Sequence, residues 1–241
     1  MASTISELFE GADGVNITSA NTVFDLVEGT FGAKFSTAVS KAGTSSAKIV
    51  TTAGNCQMEL TRTSVTTRYW SFYIRPTAAP STNTVVFFVG SSLATANRTF
   101  QVTFNADLTM KVQQGSTATI VGAATTSTLP LNQWSRVDVS LVSGALSFAL
   151  FPGDLNCDAA VGTAATGNKV SATITPTAIT SLYLGAGNSS TNNFYLDAFR
   201  EDDAAIPAPV AVADPDPEPG PDPAPKRLYA WVDPDGWVGL V

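Results

Sequence analysis

The sequence predicts an all-β protein: a two-sheet antiparallel sandwich, followed by a Pro-rich linker and a short C-terminal β-hairpin. Three observations lead to this prediction. Apolar and polar residues alternate with a period of two through much of residues 1–203, Gly, Asn and Ser interrupt these runs at intervals, and no stretch of ten residues has helical periodicity. The composition then changes at residue 204, where Ala, Pro and acidic residues take over.

The alternating runs identify individual strands. In "YWSFYIRP", Trp70, Phe72 and Ile74 fall on one face, and the residues between them fall on the other. In "CQMEL", Cys56 and Leu60 mark the ends of a shorter run of the same kind. Since successive side chains of a strand point to opposite faces, each run predicts a strand with one face on a core.

Two hairpins and one central strand complete the predicted sandwich. "FQVTFNADLTMKV" turns at 105–107, and "RVDVSLVSGALSFAL" turns at Gly144. "VVFFVG" (85–90) is apolar on both faces, which is typical of a strand covered on both sides. Many strands of even spacing favour two packed antiparallel sheets over residues 1–203.

The segment 204–225 is predicted to be an extended spacer. Its sequence, "AAIPAPVAVADPDPEPGPDPAP", has proline throughout its length. Proline lacks the N–H donor that sheets and helices need and restricts the residue before it, so the segment favours polyproline II.

Residues 226–241 are predicted to anchor the chain to a partner. "RLYAWV" and "WVGLV" flank "DPDG" (233–236), which fits a type I turn with glycine in the left-handed region. An isolated two-stranded hairpin is marginal in water, so this one needs a surface. Docking on a partner is favoured over self-association and over folding back on the sandwich, because a long stiff spacer precedes it. The predicted partner-binding residues are Lys226, Arg227, Leu228, Tyr229, Trp231, Val232, Trp237, Val238 and Leu240.

Composition excludes several classes of function. The chain has no histidine, the commonest general base, and no Glu-x-Asp-x-Glu run within a strand, so we expect no enzymatic activity. Its net charge of −7 and the lack of a Lys/Arg cluster in the sequence argue against nucleic acid as a partner. Neither an N-terminal signal peptide nor an apolar run long enough to span a bilayer is visible. The two cysteines, Cys56 and Cys157, are expected to be free thiols, and the alternative is a disulfide if the fold brings them together.

Three segments in order resemble a known group of modules. "ELFEGADGVNIT", "NQWSRVDVSL" and "NFYLDAFRED" together resemble the jelly-roll modules of the concanavalin A-like, laminin-G-like and family 4/9 carbohydrate-binding groups. The resemblance covers residues 7–203. It implies a jelly-roll fold and a structural calcium ion held by Glu10 and Asp197, although Ala198 stands where many relatives carry a second acid. The alternative is that both acids are solvated strand ends, and no other cofactor is expected.

The same resemblance implies glycan binding through exposed aromatic side chains. By alternation, Tyr69, Tyr73, Tyr183 and Tyr195 lie opposite core residues and are the candidates. The alternative is that these rings pack at sheet edges or between strands.

The low-charge, Thr/Ser/Ala-rich composition also resembles such modules in bacteriophage virion proteins, particularly those of phages that infect actinobacteria. The first hypothesis is therefore a non-enzymatic capsid decoration or minor tail protein. Its C-terminal peptide would grip other virion proteins, and its head would be displayed in the virion, which assembles in the host cytoplasm. The head could also bind host glycans, and homo-oligomers are possible. The second hypothesis is a carbohydrate-binding adhesion module of a bacterial cell-surface protein.

Overall fold

A computed structural model of the 241-residue chain describes residues 5–92, 94–115, 119–175, 178–206, 230–232 and 238–240. The chain divides into two compact units, Met1–Pro209 and Val210–Val241. In the described part of the chain, no helix is long and apolar enough to cross a membrane.

The described residues of the larger unit form thirteen strands in one continuous antiparallel sheet, and two single-turn 3-10 helices, Thr95–Asn97 and Thr166–Asn168. The predicted all-β, antiparallel fold class is confirmed. The strands are β1 (Ile5–Glu7), β2 (Leu26–Glu28), β3 (Lys34–Ser36), β4 (Ser46–Val65), β5 (Thr67–Pro76), β6 (Thr84–Gly90), β7 (Arg98–Phe104), β8 (Met110–Gln114), β9 (Thr119–Ile120), β10 (Ser135–Val142), β11 (Ala145–Phe151), β12 (Lys169–Thr173) and β13 (Ile179–Asp202).

The sheet folds over because β13 serves two sets of neighbours. Its first half, 179–186, lies between β4 and β6. Its second half pairs with β5 on one edge, and with β4 and then β1 on the other. A register irregularity in its pairing with β4 separates the halves, between Ala186 and Asn192. The strand order therefore runs β12-β11-β10-β5-β13-β6-β7-β8-β9, with β4 beside β13 and with β2 and β3 beside β4.

One continuous core lies inside the folded sheet. Trp70, Phe72 and Ile74 of β5 point into it, as their alternation predicts. Trp70 packs edge-on against Phe100 of β7, with ring centroids 5.8 Å apart. The two predicted hairpins are β7–β8 and β10–β11, and "VVFFVG" is buried at every position of β6. Both cysteines are free and buried, and burial raises the pKa of the Cys56 thiol to about 12.

A buried carboxylate ties the end of β13 to β4 and β5. Glu201, whose side chain is 3% exposed, accepts a hydrogen bond from Arg62 Nε at 2.7 Å and from Trp70 Nε1 at 3.1 Å. Arg68 Nε lies 3.3 Å from the same carboxylate. Two guanidinium groups and one indole N–H therefore depend on a single acid.

The smaller unit contains one described pair of strands, β14 (Ala230–Val232) and β15 (Val238–Leu240). They pair antiparallel, with Trp231 opposite Gly239. This agrees with the predicted hairpin, although its turn at 233–236 lies outside the described residues.

Replacing Glu201 with alanine should destabilise the larger unit by about 3–5 kcal/mol, because the change leaves partly buried cations without a counter-charge. Urea unfolding, followed by tryptophan fluorescence, measures this loss. Glu28→Ala is the matched control on the partly exposed strand β2, and it should change the free energy of unfolding by less than about 0.5 kcal/mol. A Glu201→Ala effect no larger than the control would contradict the role given to this carboxylate.

Candidate functional site

The candidate site is a groove on the sheet face that points away from the core. Its floor is a row of three serines, one on each of three adjacent strands. Ser140 of β10 lies opposite Ser147 of β11, which lies opposite Ser171 of β12. Alternation explains the row, since Val139, Phe148 and Val170 point into the core from the neighbouring positions.

The groove has a volume of about 270 Å³. Tyr69 of β5 lies opposite Ser140 and continues the row by one strand. Val161 and Gly162 contribute one loop to the lining, and Ala205 and Ile206 contribute the chain that follows β13. We call this the serine groove, and its polar lining residues are Tyr69, Asp138, Ser140, Ser147, Lys169 and Ser171.

Both charged groups of the serine groove are already engaged. Asp138 accepts hydrogen bonds from Ser71 Oγ at 2.8 Å and from Arg136 Nε at 3.1 Å. Burial raises the pKa of Asp138, and the Arg136 charge partly offsets that shift. Lys169 Nζ donates to the Gly162 carbonyl at 2.5 Å. Most of the polar groups that the groove presents to a ligand are therefore hydroxyls, on an otherwise apolar lining.

Arg136 also fixes the loop beside the groove. It is fully buried and donates to the carbonyl oxygens of Cys157 and Ala159, both at 2.8 Å. Its guanidinium lies 4.0 Å from the centroid of the Phe151 ring. These contacts hold the polypeptide that leads to Val161 against the sheet.

The structure corrects the expectation that four tyrosines are exposed for glycan stacking. Tyr69 is half-buried and lines the serine groove. The other three are 8% exposed or less. Tyr73 donates to Asp158, and Tyr183 stacks on Phe88 with ring centroids 4.2 Å apart.

Their burial agrees with the alternative expectation, that these rings pack at sheet edges or between strands. Long neighbouring side chains and loops cover the outer face at those positions: the Lys48 ammonium, for example, lies 5.8 Å above the Tyr195 ring.

The sequence did not predict the serine row, because three small polar residues that lie far apart in the chain form no recognisable sequence motif. Alternation within each strand places them on the outer face, but the pairing register was needed to align them.

Glu10 and Asp197 both contact the loop at 41–44. Asp197 is fully buried, so it is not a solvated strand end. Its Oδ2 accepts N–H bonds from Lys41 at 2.6 Å and Ala42 at 3.0 Å, while Glu10 Oε1 accepts the Thr44 N–H at 2.8 Å. Burial raises the pKa of Asp197 to about 6, and the Glu10 charge adds to the shift.

This arrangement does not fit a calcium ion. Calcium takes six to eight oxygen ligands, whereas N–H donors point at the oxygens of both carboxylates. Across the described ranges, no group of three or more acidic or cysteine side chains could hold a metal ion. The two acids act instead as acceptors that fix the loop.

The predicted partner-binding residues are only partly described. Trp231 and Val232 lie in β14, and Val238 and Leu240 lie in β15. Lys226, Arg227, Leu228, Tyr229 and Trp237 lie outside the described residues.

Removing calcium should leave the thermal stability of the protein unchanged, because backbone N–H groups already satisfy Glu10 and Asp197. Differential scanning calorimetry in 1 mM CaCl₂ and in excess EDTA measures this, and the two Tm values should agree within about 1 °C. A Tm that rises with calcium, and whose rise is lost in Asp197→Asn, would restore the calcium site that the sequence resemblance implies.

No protein-family model matches the chain, and no curated protein matches its sequence. Solved structures share its fold. A mutant sialidase of Trypanosoma rangeli with trans-sialidase activity matches with a TM-score of 0.53 at 12% identity, over 84% of this chain and 31% of the sialidase. Domain 4 of an extracellular GH43 arabinanase from Geobacillus stearothermophilus, in complex with arabinotriose, matches with a TM-score of 0.51 at 16% identity, over 82% and 90% of the two chains. A protein of unknown function from Shewanella oneidensis matches with a TM-score of 0.54 at 9% identity.

These likenesses concern the fold alone, and this chain spans less than a third of the sialidase's length. They correct the expectation of no enzymatic activity, since this fold forms part of a sialidase and of an arabinanase. That expectation rested on the lack of histidine and of a Glu-x-Asp-x-Glu run within a strand, which excludes particular reactions only. The chain shares its β-sandwich fold with these proteins.

Proposed function

We propose that the larger unit is a carbohydrate-binding module and that the serine groove is its binding site. The observation that carries this proposal is the row of aligned hydroxyls formed by Ser140, Ser147 and Ser171 in an open groove. A serine hydroxyl can donate one hydrogen bond and accept two, which suits the hydroxyl groups of a sugar.

The electrostatics of the groove favour a neutral sugar. Asp138 is neutralised by Arg136, and Lys169 donates a hydrogen bond to the Gly162 carbonyl, so four hydroxyl groups and a single cation remain for the ligand. The Tyr69 ring offers an apolar surface with a hydroxyl at its end, a combination that suits the mixed surface of a pyranose or furanose ring. The arabinanase domain that shares this fold was solved with arabinotriose, which supports an oligosaccharide as the ligand.

A second proposal concerns the C-terminal segment. Strands β14 and β15 are three residues each and, among the described residues, pair only with each other. Such a pair is marginal alone, which supports anchoring of residues 226–241 on a partner protein. Attachment to a virion is the specific form of this proposal.

Replacing Ser140, Ser147 and Ser171 together with alanine should weaken glycan binding at least tenfold, because each lost hydrogen bond contributes about 0.5–1.5 kcal/mol. A glycan array identifies the ligand, and isothermal titration calorimetry compares the wild-type protein with the variant. Ser64→Ala, at an exposed position of β4 outside the groove, is the control and should bind normally. Unchanged binding by the triple variant would show that the sugar binds elsewhere, and no binding to any glycan would reject the module assignment.

A chain truncated after Pro225 should keep a folded larger unit and lose its attachment to virions. Co-sedimentation with particles from the cognate host measures attachment, and circular dichroism confirms the fold. If the truncated chain sediments with particles as the full chain does, the C-terminal segment is not the anchor.

A further inference from the structure

A second row of side chains crosses the same outer face. It includes Arg75 of β5, which lies six residues along that strand from Tyr69 of the serine groove, or about 20 Å away. Lys34 of β3 lies opposite Lys48 of β4, Lys48 lies opposite Tyr195 of β13, and Tyr195 lies opposite Arg75 of β5. We call Lys34, Lys48 and Arg75 the cationic row. Its ends are separated by three strand spacings, or about 14 Å.

The structure describes no counter-charge for the cationic row within the part of the chain that it covers. None of its three side chains is in an ion pair with a described residue, although the chain carries a net charge of −7. The row could not be recognised from the sequence, because its three residues lie on different strands that only the sheet brings together. An unneutralised group of cations in an acidic protein attracts anions selectively.

Two buried polar atoms beside the row also lack partners. Arg75 Nε has no hydrogen-bond acceptor, and Asn193 Oδ1 has no donor. The Thr77 N–H donates to the Asn193 carbonyl, so Asn193 lies one diagonal step from Arg75 on the same face. Buried polar atoms are normally satisfied, so these two atoms mark the Arg75 end of the row as a place where side chains are incompletely paired.

Space for such a ligand lies at the lysine end of the row. A cavity of about 380 Å³ is lined by Phe31, Gly32, Lys34, Lys48 and Val50. It opens beside both ammonium groups, so a chain lying across the strands could run from this cavity toward Arg75.

We propose that the cationic row binds a linear anionic polysaccharide, laid across the strands. Its anionic groups are carboxylates or phosphates. Arginine recognises either group through paired N–H donors, and lysine binds either as a point charge. The strand spacing of about 4.8 Å is close to the repeat of an extended sugar chain, so successive acidic sugars can meet successive strands.

Nucleic acid fits the row less well. Single-stranded binding sites combine a basic groove with exposed aromatic rings on which bases stack. Here Tyr195 is 8% exposed. Trp134, which directly precedes β10 beside the Arg75 end of β5, is 6% exposed. Neither ring offers a stacking surface.

Affinity electrophoresis in gels that contain polygalacturonate tests the proposal, with fully methyl-esterified polygalacturonate as the neutral polymer of the same backbone. The wild-type protein should be retarded by the acidic polymer alone, and increasing NaCl should weaken the retardation. Lys34→Gln/Lys48→Gln should lose affinity at least tenfold, since hydrogen bonds to charged groups contribute about 1.5–3 kcal/mol each. Lys111→Gln, on β8 of the other half of the sheet, is the control and should bind as wild type.

Parallel gels with inorganic polyphosphate separate the two anionic groups, and gels with poly-L-glutamate and a single-stranded oligonucleotide test the polymer class. Equal retardation by polyglutamate, tighter binding of the oligonucleotide, or unchanged polygalacturonate and polyphosphate binding in the double variant would each overturn the proposal. This inference rests on the glycan-binding role of the same face but not on the serine groove. The triple serine variant should keep its polygalacturonate binding, so failure at one site can be told from failure at the other.

Discussion

The fold depends on one strand that belongs to both halves of the sheet. β13 must pair with β4 and β6 over its first half, and with β5, β4 and β1 over its second half. The irregular stretch between Ala186 and Asn192 lies where β13 changes neighbours. Glu201 then fixes the far end, because its carboxylate is the common acceptor for Arg62, Arg68 and Trp70. The other described strands of the larger unit are positioned, directly or through a neighbour, by this one.

That arrangement decides where binding surfaces can form. Strand β5 pairs with β10 on one side and with the second half of β13 on the other, so it joins the outer faces of both sets of strands. The serine groove lies on β5, β10, β11 and β12, and the cationic row runs from β5 across β13 to β4 and β3. Between them, the loop fixed by Arg136 and the ion pair of Lys41 with Asp158 cover the sheet. The face therefore offers two chemically different surfaces, one rich in hydroxyls and one positively charged.

The sequence predicted the local structure well and the sites poorly, for the same physical reason. Alternation within a strand is a local property, so the faces of β5, β7, β8, β10 and β11 could be assigned before the structure. Alignment between strands is not local. Ser140, Ser147 and Ser171 form a row only through the register of two strand pairs, and Lys34, Lys48 and Arg75 only through three. The predicted exposure of the tyrosines was wrong because alternation shows the side of the sheet to which a ring points, but not which other residues cover it. Tyr73, for example, is covered by Asp158 and Lys41, which come from distant loops.

The pairing of β1 with the end of β13 has a mechanical consequence. Ile5 lies opposite Glu201 in an antiparallel pair, so the chain enters and leaves the larger unit side by side at the same end. A pull on these two points would load the hydrogen bonds of that pair one after another, as a zipper opens, and not all together in shear. The short β1 would peel away first, and Phe9 and Phe24, which stack beneath it, would then be exposed.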